Sequence, residues 1–344
     1  MKKTFSLIAI AMVMFSCKKE VKKEPVKENQ VNVYTHRHYK ADQELFATFE
    51  KETGIKVNVV NASADELIQK MSTEGEQSPA DVLITVDAGR LVRAKDKGLL
   101  QTANSTFLDA TIPQHLKDVD NNWFALTKRA RVIVYNPEKV TAEDLSTYED
   151  LADPKWKKRI LIRSSGNIYN QSLLASIIAN DGEEAATEWT KGVVANMARS
   201  PKGNDRDQVK AVVAGEGDIA VVNTYYIGKL LNSENPEEVK AGEGIQIFFP
   251  NQGNRGTHIN VSGAGVARYA PNKANAIKFI EFLASKEAQE VFAKANYEYP
   301  VNSDVNPSAL LASWGTFKED KLSLTKLGEN NKKAVLTFDI AGWK

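Results

Sequence analysis

The sequence predicts an α/β protein of two lobes joined by two crossing segments. Strand-like and helix-like runs alternate from residue 31 onward, which favours parallel sheets covered by helices. Long extended stretches at 123–136 and 258–268 interrupt the alternation and divide the α/β runs into two sets. A chain of 344 residues is long enough for two cores. Each lobe is expected to hold a mixed, mostly parallel sheet flanked by helices.

In chain order, VNVY at 31–34 is a compact β-rich run. Residues 40–53 carry Leu45, Phe46 and Phe49 at helical spacing and stop at Gly54. IKVNVV (55–60) is a strand, and 64–74 a helix with Leu67, Ile68 and Met71 on one side. DVLITV (81–86) is a strand and 87–100 a helix ending near Gly98. WFALTKRARVIVYN (123–136) is the first crossing. The second set follows: strand 160–165, helices 170–180, 183–197 and 205–217, strand 218–223, and strand 245–250 with a proline at its exit. HINVSGAGVAR (258–268) is the return crossing, and its two glycines read as a tight strand approach rather than a phosphate loop. A helix at 272–284 places Ile277, Ile280, Phe282 and Leu283 toward the core. The remaining stretch, 285–344, is mixed and is expected to pack mainly on the second lobe. The lobes are assigned as 31–130 with 260–300, and 131–259 with 301–344. Two such lobes enclose a cleft at the carboxyl ends of their strands, where ligands bind and hinge closure is the default motion.

The N-terminus reads as an export signal over residues 1–16. Lys2 and Lys3 precede an apolar run, 5–15, that is too short to span a membrane. Ser16 and Cys17 follow, and Cys17 is the chain's single cysteine. A lone thiol directly after a signal sequence resembles the lipobox of bacterial lipoproteins, which implies acylation of Cys17 and an exported, lipid-anchored protein. Residues 17–30 then form a charged tether that cannot bury enough apolar surface to fold.

With 45 basic and 44 acidic side chains, the chain shows no nucleic-acid footprint. It contains no CxxC, HExxH or EF-hand spacing. No defensible Ser/His/Asp order and no base beside an open coordination site point to an enzyme. Tyrosines carry the signal instead. Tyr39, Tyr169, Tyr225 and Tyr226 each follow a strand, at the edge of the expected cleft. Taken singly, such a tyrosine is usually a half-buried packing residue. Adjacent Tyr225 and Tyr226 cannot both pack in one strand, but both can enter a cleft from a turn that begins a helix. A phenolate is a hard anionic oxygen donor, and ordinary tyrosine is protonated at neutral pH, so a highly charged cation has to displace the proton.

The segments THRHYKADQELFATFEKETGIKVN, SPADVLITVDAGRL, KRARVIVYNPE, SSGNIYNQS, GNDRDQVKAVVAGEGDIAVVNTYYIGKL and NRGTHINVSGAGVA together resemble the ferric-iron-binding periplasmic protein family. The resemblance covers about residues 31–344. It implies the type II periplasmic-binding-protein fold and the substrate-binding role in an iron(III) importer, with an ABC permease and its ATPase subunit as partners. In the family's His/Tyr subgroup one histidine and four tyrosines hold iron. Carried over, these are His38, Tyr39, Tyr169, Tyr225 and Tyr226. His36, two residues before His38, competes if the strand extends through both. Some members bind carbonate or another small anion beside the metal, which makes Arg129 and Arg131 candidates. Asp87, Arg90 and Arg206 are weaker candidates for the cleft wall. The resemblance implies a monomeric binding protein without enzymatic activity. The alternatives are the same fold carrying a polyamine, thiamine or an oxyanion, and, less favoured, a tyrosinate-metal enzyme.

Overall fold

A computed structural model describes residues 29–344. The expected leader over 1–16, Cys17 and the tether up to residue 28 lie outside the described residues. The strands are β1 (Gln30–Thr35), β2 (Lys56–Asn61), β3 (Val82–Val86), β4 (Leu100–Gln101), β5 (Phe124–Tyr135), β6 (Ile160–Leu161), β7 (Ile219–Asn223), β8 (Gln246–Phe248), β9 (Ile259–Ala267) and β10 (Tyr299–Pro300). Their main path runs β2-β1-β3-β9-β5-β7-β6.

The sheet is mixed, as expected, but not mostly parallel, because the crossing strands dominate its pairing and confine the parallel character to two places. β1 runs parallel to β2 and β3, and β6 runs parallel to β7. The crossing strands pair antiparallel with everything they touch. β5 is the junction. Residues 124–130 pair with β9, and residues 131–135 turn to β7 and β8. At the switch the Arg131 amide donates to the His258 carbonyl at 2.9 Å, tying the first crossing to the start of the return.

β3, β7 and β9 are buried along their whole lengths, as strands covered on both faces must be. The glycines of β9 are required by close approach. A Cβ on Gly263 would stand 2.6 Å from the Phe124 carbonyl oxygen, and one on Gly265 2.6 Å from that of Asn122. The β1–β3 side is filled by an apolar cluster that includes Phe49 and Phe279, whose rings meet edge-on at 5.0 Å. A second cluster holds Trp156, Trp189, Phe338 and Trp343.

Three further expectations need correction. The strand expected at 160–165 is only the two-residue β6. The helix read within 87–100 and expected to end near Gly98 ends at Asp96, and Leu100 opens β4. The C-terminal stretch divides between the two sets. Helix Lys286–Ala295 packs on Lys40–Thr53 and Lys273–Ala284, while Thr325–Glu329 sits between Ala88–Asp96 and Ile168–Asp181. Helix Asn331–Ala341 packs against Ile168–Asp181 and Glu183–Asn196, within the second set. Periodicity shows that a segment is helical and leaves its neighbours open.

Residues 318–320 close back onto the return crossing: the Thr257 amide donates to the Lys318 carbonyl at 2.8 Å, and the Asp320 amide to the Thr257 carbonyl at 2.9 Å. Glu319 lies 3.2 Å from His115 Nε2 and accepts from Lys128 Nζ at 2.8 Å. Burial alone would raise its carboxyl, but the His115 contact and the Lys128 ammonium outweigh burial and hold it at about 2. Its folded pKa is below the ordinary 4.5, so the stabilisation is complete above pH 4.5 and vanishes as pH falls toward 2. Glu319→Gln is therefore expected to lose about 2–3 kcal/mol at neutral pH, with the difference from the parent shrinking across that acid window. Urea unfolding at several pH values checks this, and a pH-independent difference would contradict it.

Candidate metal centre

Four tyrosines converge where the two strand sets meet. Tyr39 follows β1 and caps helix Lys40–Thr53. Its loop is fixed by a buried ion network. The Arg37 guanidinium donates to Asp42 at 3.0 Å and to Glu298 at 3.0 Å, Asp42 also accepts from the Tyr39 amide at 3.3 Å, and Arg37 Cζ lies 5.0 Å from the Tyr39 ring centre. Tyr169 sits in the first turn of helix Ile168–Asp181, whose cap Asn167 accepts from the Tyr169 amide at 3.2 Å. The helix starts two residues before the expected position, so Tyr169 is helical. Tyr225 and Tyr226 occupy the first turn of helix Thr224–Leu231, directly after β7.

The Tyr169 and Tyr225 hydroxyls are 3.2 Å apart, and the rings of Tyr225 and Tyr226 stand 4.2 Å centre to centre. Lys229 Nζ lies 3.9 Å from the Tyr39 ring centre and 5.4 Å from that of Tyr225, so one ammonium joins the β1 loop to the Tyr225 helix. Burial, then Glu298, raises the Tyr39 phenol. Burial, then Tyr169, Tyr226 and Tyr39, raises Tyr225 well above its ordinary value. Burial and Tyr169 push Tyr226 up to about 12. Phenols that oppose one another's ionisation in this way are close neighbours, and a cation among them would reverse the effect.

His38 is exposed, with its ring centre 5.4 Å from that of Tyr39. β1 ends at Thr35, so strand alternation does not extend through His36 and His38 as the sequence reading allowed. His36 is partly buried, its Nδ1 has no partner, and burial together with Arg90 lowers its pKa to about 4. The two arginines of the first crossing have different surroundings. Arg131 is committed: it donates to Asp205 at 2.7 Å, to Asn170 at 2.7 Å and to Asn223 at 3.3 Å. Arg129 is buried with no hydrogen-bond partner on any guanidinium nitrogen, and its Cζ lies 5.2 Å from the Tyr169 ring centre.

A family model for bacterial extracellular solute-binding proteins matches residues 77–315, more than half of the chain. The chain belongs to this family. Among its relatives, iron uptake protein A1 of Synechocystis is 49% identical over 99% of this chain and 96% of its own length. The major ferric iron-binding protein of Neisseria meningitidis is 30% identical over 91% and 93%. The solved structure of the Trichodesmium protein IdiA (FutA), in complex with iron and citrate ligands, superimposes with a TM-score of 0.89 at 50% identity, covering 92% of this chain and all of that one. The fold of this solute-binding protein is the two-lobe type II binding-protein fold.

Of the weaker cleft candidates, Asp87 is fully buried at the cap of helix Ala88–Asp96 and accepts from Ser172 at 2.8 Å and Asn260 at 2.8 Å. Arg90 donates to the Val86 carbonyl, and Arg206 lies 3.6 Å from Glu238. The sequence reading missed Lys229, Arg163 and Asp205. For Lys229 a signal existed, since it stands three and four residues beyond the tyrosine pair on one helix. Asp205 gave none: it sits in the first turn of helix Asp205–Val213, fully buried, accepting from Arg131 at 2.7 Å, Arg163 at 3.3 Å and the Asn223 amide at 2.8 Å. In this solute-binding protein Asp205→Ala leaves the buried Arg131 without its counter-charge, and a loss of about 3–5 kcal/mol is expected in chemical denaturation. Asp205→Asn, which keeps an acceptor, is expected to lose less.

Proposed function

We propose that this solute-binding protein captures Fe(III) in the inter-lobe cleft and delivers it to an ATP-driven importer. The observation that carries the reading is the convergence of four phenols, with Tyr169 and Tyr225 hydroxyls 3.2 Å apart, the Tyr226 ring 4.2 Å from that of Tyr225 and Tyr39 joined to them through Lys229. Tyr169, Tyr225 and Tyr226 receive the metal on the second lobe. Closure adds Tyr39, with His38 as the fifth ligand. The relatives named for iron uptake and ferric iron binding, and the Trichodesmium structure with iron and citrate, support the same cargo.

Four phenolates around a trivalent ion leave one surplus negative charge, and a low-dielectric cleft tolerates that only with cations nearby. Arg129, with no hydrogen-bond partner, and Lys229, poised over two of the rings, supply them. Arg129 is also the better placed of the two arginines for a carbonate or similar anion, because Arg131 is committed elsewhere. The cleft binds and releases and performs no covalent chemistry, so the protein is a carrier and not an enzyme. We take the lobes as 31–130 with 260–300 and 131–259 with 301–344, the partners as an ABC permease and its ATPase, the acylated residue as Cys17, and the location as the periplasmic face of a membrane.

Titration with ferric citrate tests the reading. It should raise a visible phenolate-to-iron charge-transfer band that saturates at one iron per chain. Absence of the band, or catalytic turnover of a bound substrate, would sink it.

A further inference from the structure

Away from the tyrosine cluster, a cavity of about 680 Å³ opens between β5, β10 and the segment 307–321. Its walls are of two kinds. One is apolar and aromatic: Phe317 stacks on Phe249 at 4.4 Å and meets Tyr299 edge-on at 5.3 Å. Tyr299 lines the cavity, is 5% exposed, and its hydroxyl has no partner. A buried phenol left unpaired is costly unless a ligand supplies the partner. The other wall is cationic. Lys128, Arg255, Lys318 and Lys321 line the cavity against the single carboxylate of Glu319. Lys128 is spent on Glu319, and Arg255 on Glu149 with Asp181 and Asp320 nearby. Among the described residues, Lys321 has no hydrogen-bond or ion-pair partner, and Lys318 Nζ reaches only the Asn254 carbonyl. One uncommitted ammonium, that of Lys321, and one held only by a backbone carbonyl, that of Lys318, therefore line the same cavity as an aromatic wall carrying one unsatisfied hydroxyl.

We propose that this cavity binds a small organic anion, a carboxylate or sulfonate with an aromatic or aliphatic body. Lys318 and Lys321 take the acid group, and Phe317 and Tyr299 take the body. Burying an apolar body beside a few fixed polar groups is the common pattern of small-molecule sites. The site is separate from the cleft, and its occupancy does not depend on the identity of the cargo.

The probe is 1-anilinonaphthalene-8-sulfonate, titrated into the purified protein and followed by its fluorescence. One saturable site, displaced by decanoate, is expected. Lys318→Glu with Lys321→Glu should weaken binding at least tenfold, as should Ala312→Trp, which fills the cavity. Circular dichroism and thermal unfolding, unchanged in both variants, show that they fold. The exposed apolar residues Leu336 and Ile340 offer the probe another surface, and binding there would be insensitive to both variants. That insensitivity would overturn the proposal. Equal affinity for the uncharged N-phenyl-1-naphthylamine would also overturn it, because the lysines would then contribute nothing.

Discussion

Replacing Tyr225 and Tyr226 together with phenylalanine is expected to abolish the charge-transfer band and weaken Fe(III) binding by at least about 100-fold. Substitution of groups that merely orient a ligand costs roughly 10- to 100-fold in metal affinity, and here two ligands themselves are lost. The change removes two oxygens and little else. Both rings remain, so the 4.2 Å ring contact and the packing of Tyr225, which is 4% exposed, are kept. Melting temperature should therefore move little while affinity collapses. The contrast separates a ligand role from a packing role. Affinity retained within about threefold, measured by competition with citrate, would remove the pair from the metal site. Tyr169→Phe alone is expected to act in the same direction and more weakly, and it also takes away the hydroxyl 3.2 Å from that of Tyr225.

Iron loading should release about four protons per metal bound at neutral pH, one from each phenol that becomes a ligand. Tyr39 and Tyr225 are raised by burial, and Tyr226 is pushed up to about 12, so these three hold their protons fully before iron arrives. The sign follows from mass action. Protons compete with the metal, so affinity falls as pH falls, by up to about four powers of ten per pH unit when each ligand phenol gives up one proton. The count is read from calorimetric titrations in buffers of different ionisation enthalpy. Release of fewer than about two protons would mean that phenolates do not carry the binding. The same dependence gives a route for discharge, since local acidification returns protons to the ring oxygens and frees the ion.

The fold was legible wherever one residue pattern allowed one structure. β3 and β7 are short apolar runs bounded by polar residues, and the crossing read at 123–136 is β5 to within a residue at either end. The strand read at 160–165 shrank to two residues because Arg163 and the serines after it have no neighbouring strand to pair with. At the site, the tyrosines were legible as strand-end residues, and the structure brings all four together. His38 was named from a motif; the structure shows it exposed beside Tyr39, and β1 stops short of the alternation invoked for His36. Asp205 and Arg37 were illegible. Their partners lie 74 and 261 residues away, at Arg131 and Glu298, and local spacing holds no trace of such distances.

β5 changes partners between Ala130 and Arg131 without a break in the strand. The halves of the protein are therefore not two folding units with a linker between them. Unravelling either one strips a row of backbone bonds from a strand that the other also needs, and the Arg131 amide on the His258 carbonyl ties the return crossing to the same point. A joint made of strand can twist and still refuse to come apart, so the cleft can open for cargo while the molecule unfolds only as a whole.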